Sequence, residues 1–269
     1  MNIGIIGVGN IGGIFVEQLK KDKEITLYLF DKHTDKISPF EGKKRCICSD
    51  STEKLVQECD TIILSVKPQD SIPLLKGLKD FDFEHKIIIS TITGISIARI
   101  GEEINAKKVA RIMPNVPSAI GKGVTGVCYS QAFDKAAKDA VNCILSKLGN
   151  VIEIEEKAFP AVTALSGSGP AFVFVVIESM IDIGLKMGLS YDVSRELVLG
   201  TLIGSAQLLE ARGNHPGEFR HLVTSPAGTT IEGIYSLERE GLRGTIMKAI
   251  NDTFERAKSI SDEIERDTK

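Results

Sequence analysis

Ile3-Gly4-Ile5-Ile6-Gly7-Val8-Gly9-Asn10-Ile11-Gly12, residues 3–12, decide how the chain is read. An apolar run stops at a glycine, two more glycines follow in the spacing G-x-G-x-x-G, and a helical stretch runs from Ile11 to Lys20. In a strand-turn-helix, Gly7 makes the tight turn, Gly9 lets a pyrophosphate approach the backbone, and Gly12 lets the helix pack on the strand. Asn10 and Ile11 open the helix, whose N-terminus offers free N–H groups and a positive dipole end. The next apolar run, Thr26–Phe30, ends at Asp31. A carboxylate there accepts hydrogen bonds from the adenosine ribose and repels a 2'-phosphate, whereas Lys32 and His33, which follow at once, are able to bind one. The pattern therefore predicts a nicotinamide dinucleotide site and admits either NADH or NADPH.

Outward from this turn, further apolar runs at Thr61–Ser65, Ile87–Ser90 and Lys108–Arg111 alternate with polar-faced helical stretches. That rhythm is the one βαβ units produce, and it predicts an α/β Rossmann domain with a doubly wound parallel sheet over residues 1–157. Residues 158–269 have helical periodicity throughout, interrupted at 167–170, 188–190, 213–217 and 225–228, so an all-helical second domain is expected. One helix in it, Phe172–Met187, is apolar around most of its circumference and requires cover on nearly every side. About 110 residues struggle to wrap such a helix, so a subunit interface is expected, giving a homodimer or a larger assembly built on dimers.

Composition narrows the partners. The 269 residues carry 33 Lys+Arg against 36 Asp+Glu, a net charge of −3, so no field favours nucleic acid or an anionic membrane surface. The five cysteines form no CxxC pair and have no nearby histidines at ligand spacing, which predicts reduced thiols and no metal. With no basic leader and no apolar run read as long enough to span a bilayer, the expected location is the cytoplasm.

Several polar residues carry candidate chemistry. Lys67, after the third strand, can contact cofactor ribose or phosphate, although an isolated lysine is ordinarily a surface charge. Asn115, after Met113-Pro114, brings a donor and an acceptor toward the nicotinamide end. Thr229-Thr230-Ile231-Glu232 fits a capping box at a helix start, and Ser225-Pro226-Ala227-Gly228 precedes it. Such a terminus presents N–H groups to an anion, with Ser225, Gly228 and Thr229 placed to hold a carboxylate; a capped helix with no ligand reads the same way.

Five segments taken together, Val66-Lys67-Pro68-Gln69, Arg111-Ile112-Met113-Pro114-Asn115, Gly121-Lys122-Gly123-Val124-Thr125, Ala164 to Phe172 and Thr224 to Thr230, resemble the pyrroline-5-carboxylate reductases in order and spacing. The resemblance implies NAD(P)H-dependent reduction of the cyclic imine 1-pyrroline-5-carboxylate to L-proline, with an active site between the cofactor domain and helical elements assembled by the dimer. It adds Val66 and Pro68 to the cofactor set, and it gives the Thr230 hydroxyl the ring nitrogen as hydrogen-bond partner or proton relay. The chain departs from the family pattern at Ala227, where a glycine is usual, at Pro160, and at Gly200. Three rival readings are a reductase of a related cyclic imine, a 3-hydroxy-acid dehydrogenase using Lys186, and a non-catalytic nucleotide sensor; the last predicts loss of the hydroxyls that Ser225, Thr229 and Thr230 retain.

Overall fold

A computed structural model of the chain describes residues 1–266, with side chains to residue 264. Strands and helices alternate through β1 (Asn2–Ile6), α1 (Asn10–Leu19), β2 (Thr26–Phe30), β3 (Cys46–Cys48), α2 (Thr52–Glu58), β4 (Thr61–Leu64), α3 (Pro68–Leu78), β5 (Ile87–Ser90), α4 (Ile97–Ile104) and β6 (Lys108–Met113). They continue with β7 (Gly123–Tyr129), α5 (Lys135–Leu145) and β8 (Gly149–Glu153). Helices follow: α6 (Phe159–Val162), α7 (Gly169–Lys186), α8 (Tyr191–Arg212), α9 (Pro216–Leu222), α10 (Thr229–Arg239) and α11 (Leu242–Arg266).

Among the described residues the strands form one sheet in the order β3-β2-β1-β4-β5-β6-β7-β8, parallel except between β6 and β7. The central strands are runs of Ile and Leu because both faces are covered. Ile3, Ile5, Ile63 and Ile89 point to the side where α1 and α5 bring Phe15, Val16, Val141 and Ile144. Ile6, Ile62, Leu64 and Ile88 point to the other side, against Leu55, Leu75 and Ile100 of α2, α3 and α4. Each such side chain stabilises the fold by about 1.5–3 kcal/mol on burial. The chain leaves β1 for β2 on one side and reaches β4 on the other, so a crevice opens at the carboxyl ends of β1 and β4, where the winding reverses.

The structure adds to the sequence reading and corrects it. All five expected strands are present, but β3, β7 and β8 extend the sheet, and β7 and β8 run antiparallel to the rest. The expected interruption at 167–170 is a π-helical turn, Thr163–Gly167, followed by Ser168 and the start of α7.

Two compact units divide the chain at other places than residue 157. One comprises residues 1–168 with the described residues from Thr253 onward; the other is Gly169–Asp252. The segment after residue 157 stays with the sheet because Phe159 is buried, Glu156 pairs with Arg111 of β6, and Asn115 reaches Ser166. Ile264, near the end of α11, packs against the apolar cluster of α2, α3 and α4.

In the helical unit α7 and α8 pack closely where Gly184 meets Ser194, a contact that a side chain at 184 would obstruct. Little else is covered: Val173, Phe174 and Val175 are 50–62% exposed. The helical stretch Glu156–Lys186 is long and apolar enough to cross a membrane, by length and composition, which overturns the reading that no apolar run has that length.

Candidate functional site

The glycine turn is built as its spacing requires. Gly7 has φ +94° and donates its N–H to the Phe30 carbonyl at 2.8 Å, joining the ends of β1 and β2. A Cβ at Gly7 would meet the Ser65 carbonyl, and one at Gly12 would run into the Gly7 carbonyl oxygen. Gly9 differs, because a Cβ there would meet no protein atom within 4 Å. Its missing side chain leaves open backbone rather than room for packing. Gly9 also caps α1 without any side-chain hydrogen bond, so the first-turn N–H groups of the helix keep their donor capacity.

Gly9 opens on a cleft of about 870 Å³ lined by Gly7, Gly9, Asn10, Ile11, Asp31, Lys32, Val66, Lys67 and Pro68. Nine of the eleven residues expected at the cofactor therefore share one cavity. Gly12 lies beneath it as packing, consistent with its expected part, and Asn115 does not line it. The sequence reading missed Lys36, Ser65, Gln69, Asp70, Thr91 and Thr93, which also line the cleft. Thr91 and Thr93 follow β5 as Val66–Pro68 follow β4, so the ends of successive parallel strands were the signal that would have found them.

Asp31 is 7% exposed, and both carboxylate oxygens accept backbone N–H groups: Val8 at 2.8 Å and His33 at 2.9 Å. Lys36 Nζ stands 3.6 Å from Oδ2. Lys32 reaches across to Asp70, Nζ to Oδ1 2.6 Å, and that hydrogen bond holds the Asp70 carboxyl below its ordinary range. The cleft thus has a turn, a helix terminus, and a rim where cations outnumber carboxylates.

Asn115 is buried and occupied elsewhere. Its Oδ1 accepts the Val124 N–H at 2.9 Å, and its Nδ2 donates to the Ser166 carbonyl and hydroxyl at 3.3 Å. It is one of three alternate residues that fasten the segment after β8. Arg111 pairs with Glu156 at 3.1 Å and lies over the Phe159 ring, while Met113 borders Gly167. The π-helical turn is thereby fixed to β6.

In the helical unit, Ser225-Pro226-Ala227-Gly228 forms a turn closed by the Gly228 N–H donating to the Ser225 carbonyl at 3.1 Å. Pro226 at the second position and Ala227 with φ +56° at the third are the marks of a type II turn. This turn changes the expected capping. The N-cap of α10 is Gly228, not Thr229, and no side chain bonds the first turn, so the capping box is not formed. The reason is register: the turn delivers an extended Gly228, φ −83°, directly onto the helix and makes Thr229 its first residue. Gly228 therefore has its own N–H engaged, and its lack of a Cβ makes room for the Ser225 hydroxyl. The donors left for an anion are those of the first turn, beginning with Thr229 and Thr230.

A family model described as pyrroline-5-carboxylate reductase dimerisation matches residues 156–260, and one described as NADP oxidoreductase coenzyme F420-dependent matches residues 2–94. The pyrroline-5-carboxylate reductase of Aquifex aeolicus is 37% identical over 262 residues, covering 97% of each chain. That of Methanosarcina acetivorans is 33% identical, covering 96% of this chain and 97% of its own. The crystal structure of Plasmodium falciparum pyrroline carboxylate reductase with NADP bound superposes with a TM-score of 0.88 at 30% identity, over 97% of this chain and 98% of that one. With a cleft at the glycine turn in one unit, a helix terminus capped by a glycine in the other and full-length similarity across both, the chain belongs to the pyrroline-5-carboxylate reductase family.

Proposed function

We propose that this enzyme reduces 1-pyrroline-5-carboxylate to L-proline with NADPH or NADH, the final step of proline synthesis. The observation that carries the substrate reading is the terminus of α10, where a glycine N-cap leaves first-turn donors unclaimed by any side chain. A lone carboxylate on a small imine suits such a terminus, because the donors and the helix dipole act together on one negative charge.

The coenzyme, when bound, supplies the hydride. Gly7, Gly9, Asn10 and Ile11 hold its pyrophosphate; Asp31, Lys32, Val66, Lys67 and Pro68 form the remaining wall, as their common cleft supports. Gly12 keeps α1 close to the turn, and Asn115 is assigned to positioning through Ser166 rather than to contact with the coenzyme. Ser225, Thr229 and Thr230 hold the substrate carboxylate, with Gly228 shaping the turn. The Thr230 hydroxyl meets the ring nitrogen, which carries a proton in the electrophilic iminium and keeps it in the product amine. No metal or protein nucleophile is required, since an iminium accepts hydride directly once aligned.

Assembly follows from the uncovered apolar faces of α7 and α8, which match the dimerisation model of the family. We assign these faces to a second copy of the chain and not to a bilayer, and take the dimer as the minimum unit, larger assemblies being built on it. The cytoplasm is the proposed location, in keeping with five free cysteines, and neither nucleic acid nor membrane is proposed as a partner.

Initial rates of coenzyme oxidation with pyrroline-5-carboxylate test the reading. Thr230→Val keeps the shape of the side chain and removes the hydroxyl; kcat falls by about tenfold to a hundredfold while coenzyme affinity holds. Unchanged kcat in that variant removes the assigned role of Thr230, and absence of turnover in the folded, coenzyme-binding wild type removes the proposed reaction.

A further inference from the structure

The loop between β5 and α4 presents Thr91 and Thr93 to the cleft and buries Ile92 and Ile95 in the apolar core. Its two ends are tied by hydrogen bonds. Thr91 donates its N–H to the Leu64 carbonyl at 3.0 Å and its hydroxyl to that of Ser65 at 3.3 Å, while Ser96 caps α4 by accepting the Arg99 N–H at 3.2 Å. Between these ends, among the described residues, no hydrogen bond reaches the backbone of Thr93, Gly94 or Ile95. Packing therefore sets where this stretch stands against the cleft.

Gly94 is where that packing is tightest. Its φ is +87°, and a Cβ there would stand 2.5 Å from Ile264 Cδ1 and 3.5 Å from both Cγ2 and the carbonyl oxygen of Ile260, in α11. Glycine thus serves twice, by adopting left-handed backbone and by letting a helix come up against a loop. Ile260 and Ile264 are four residues apart and share a face of α11. Ile264 also packs against the cluster that holds Ile92 and Ile95. Neither isoleucine of α11 lines the cleft, so any influence on it passes through the loop.

We propose that Ile260 and Ile264 are positioning residues for the coenzyme, holding Gly94 and its neighbours so that Thr91 and Thr93 keep their places in the cleft wall. Truncating either side chain leaves a void beside a glycine that has no side chain to fill it, and a stretch without hydrogen bonds relaxes toward that void. The inference rests on the cleft being the coenzyme site, whichever imine is reduced.

Dissociation constants of NADPH and NADH for the full-length protein, read by coenzyme fluorescence without substrate, test it alongside urea denaturation of each variant. Ile264→Ala and Ile260→Ala each raise the constant for the tighter coenzyme about threefold to tenfold; its KM rises equally, and kcat at saturation stays within about twofold. Ile264→Val keeps the branched shape and binds within about twofold of the wild type. Ile104→Val removes a buried methyl from the same cluster at the far end of α4; it loses stability and keeps coenzyme affinity. Gly94→Ala also weakens the coenzyme, and joined to Ile264→Ala it does so by less than the product of the two factors, because both act on one contact. If Gly94→Ala does not fold, the isoleucine variants decide alone. Unchanged affinity in both alanine variants, or an equal loss in Ile104→Val, overturns the proposal and leaves the cleft as the coenzyme site. A folded wild type that binds neither coenzyme removes both readings.

Discussion

Two glycines three residues apart have opposite reasons to be there, and replacing each by alanine separates binding from folding. At Gly12 the new methyl collides with the backbone carbonyl of Gly7. Alanine is the better helix former by about 1 kcal/mol, but overpacking costs about 1–3 kcal/mol and its upper end applies, because the obstacle is main chain and cannot rotate away. Gly12→Ala is therefore destabilised by about 1–2 kcal/mol. At Gly9 the methyl meets no protein atom, and the extended N-cap conformation, φ −82°, is open to alanine. The folded chain loses about 0.5–1 kcal/mol for a poorer cap. The coenzyme pyrophosphate, kept from the backbone, loses at least one charge-assisted hydrogen bond of about 1.5–3 kcal/mol, roughly tenfold to a hundredfold in affinity. Urea denaturation and coenzyme titration of both variants give the two numbers each. A Gly9→Ala protein that binds coenzyme within about twofold of the wild type refutes the assignment of the turn.

Three further outcomes follow from the packing and the ionisable groups. Ala227→Gly relieves a left-handed alanine worth about 1–2 kcal/mol and returns about 0.4–1 kcal/mol as chain entropy, so urea denaturation should show a gain of roughly 0.5–1 kcal/mol; a loss would show that the turn does not need positive φ there. Glu156→Gln removes the carboxylate charge that pairs with the buried Arg111, and because the Glu156 side chain is 33% exposed the cost is discounted from the fully buried case to about 1–2 kcal/mol in the same assay. Burial pushes the Cys59 thiol up to about 12, so the folded chain keeps a proton that the unfolded chain releases above pH 9, the ordinary value. Stability from this group is complete below pH 9 and declines as pH rises toward 12; at pH 8 a thiol reagent should modify the exposed Cys143 and spare Cys59 in the native protein.

The sequence disclosed what hydrophobic pattern and glycine spacing encode. β1, β4 and β5 were legible because strands buried on both faces must be near-continuous Ile and Leu, and the tight turn after β1 was legible because only glycine satisfies positions 7 and 12. β8 was not, since it is a partly exposed strand with Asn150, Ile152 and Glu153 facing out. β7 was obscured by Gly123 and Gly126, residues that weaken a strand pattern, and β3 has only three residues. The pattern Thr-Thr-Ile-Glu has capping-box spacing, yet the preceding turn moves the cap to Gly228; local motif and actual helix start differ by one residue. Asn115 shows the same limit in the tertiary direction, because a polar residue after a strand reads identically whether it faces a ligand or, as here, Ser166 and Val124.

Hydride transfer from a nicotinamide to the imine carbon of pyrroline-5-carboxylate leaves an isotopic mark in the product. Coenzyme carrying deuterium at the transferable position of the nicotinamide is incubated with the protein and the imine, and the amino acid formed is examined by mass spectrometry. The expected product is L-proline one mass unit heavier, labelled at the carbon that was the imine carbon. Proline formed without label, or a folded protein that binds coenzyme and forms no proline, would contradict that transfer.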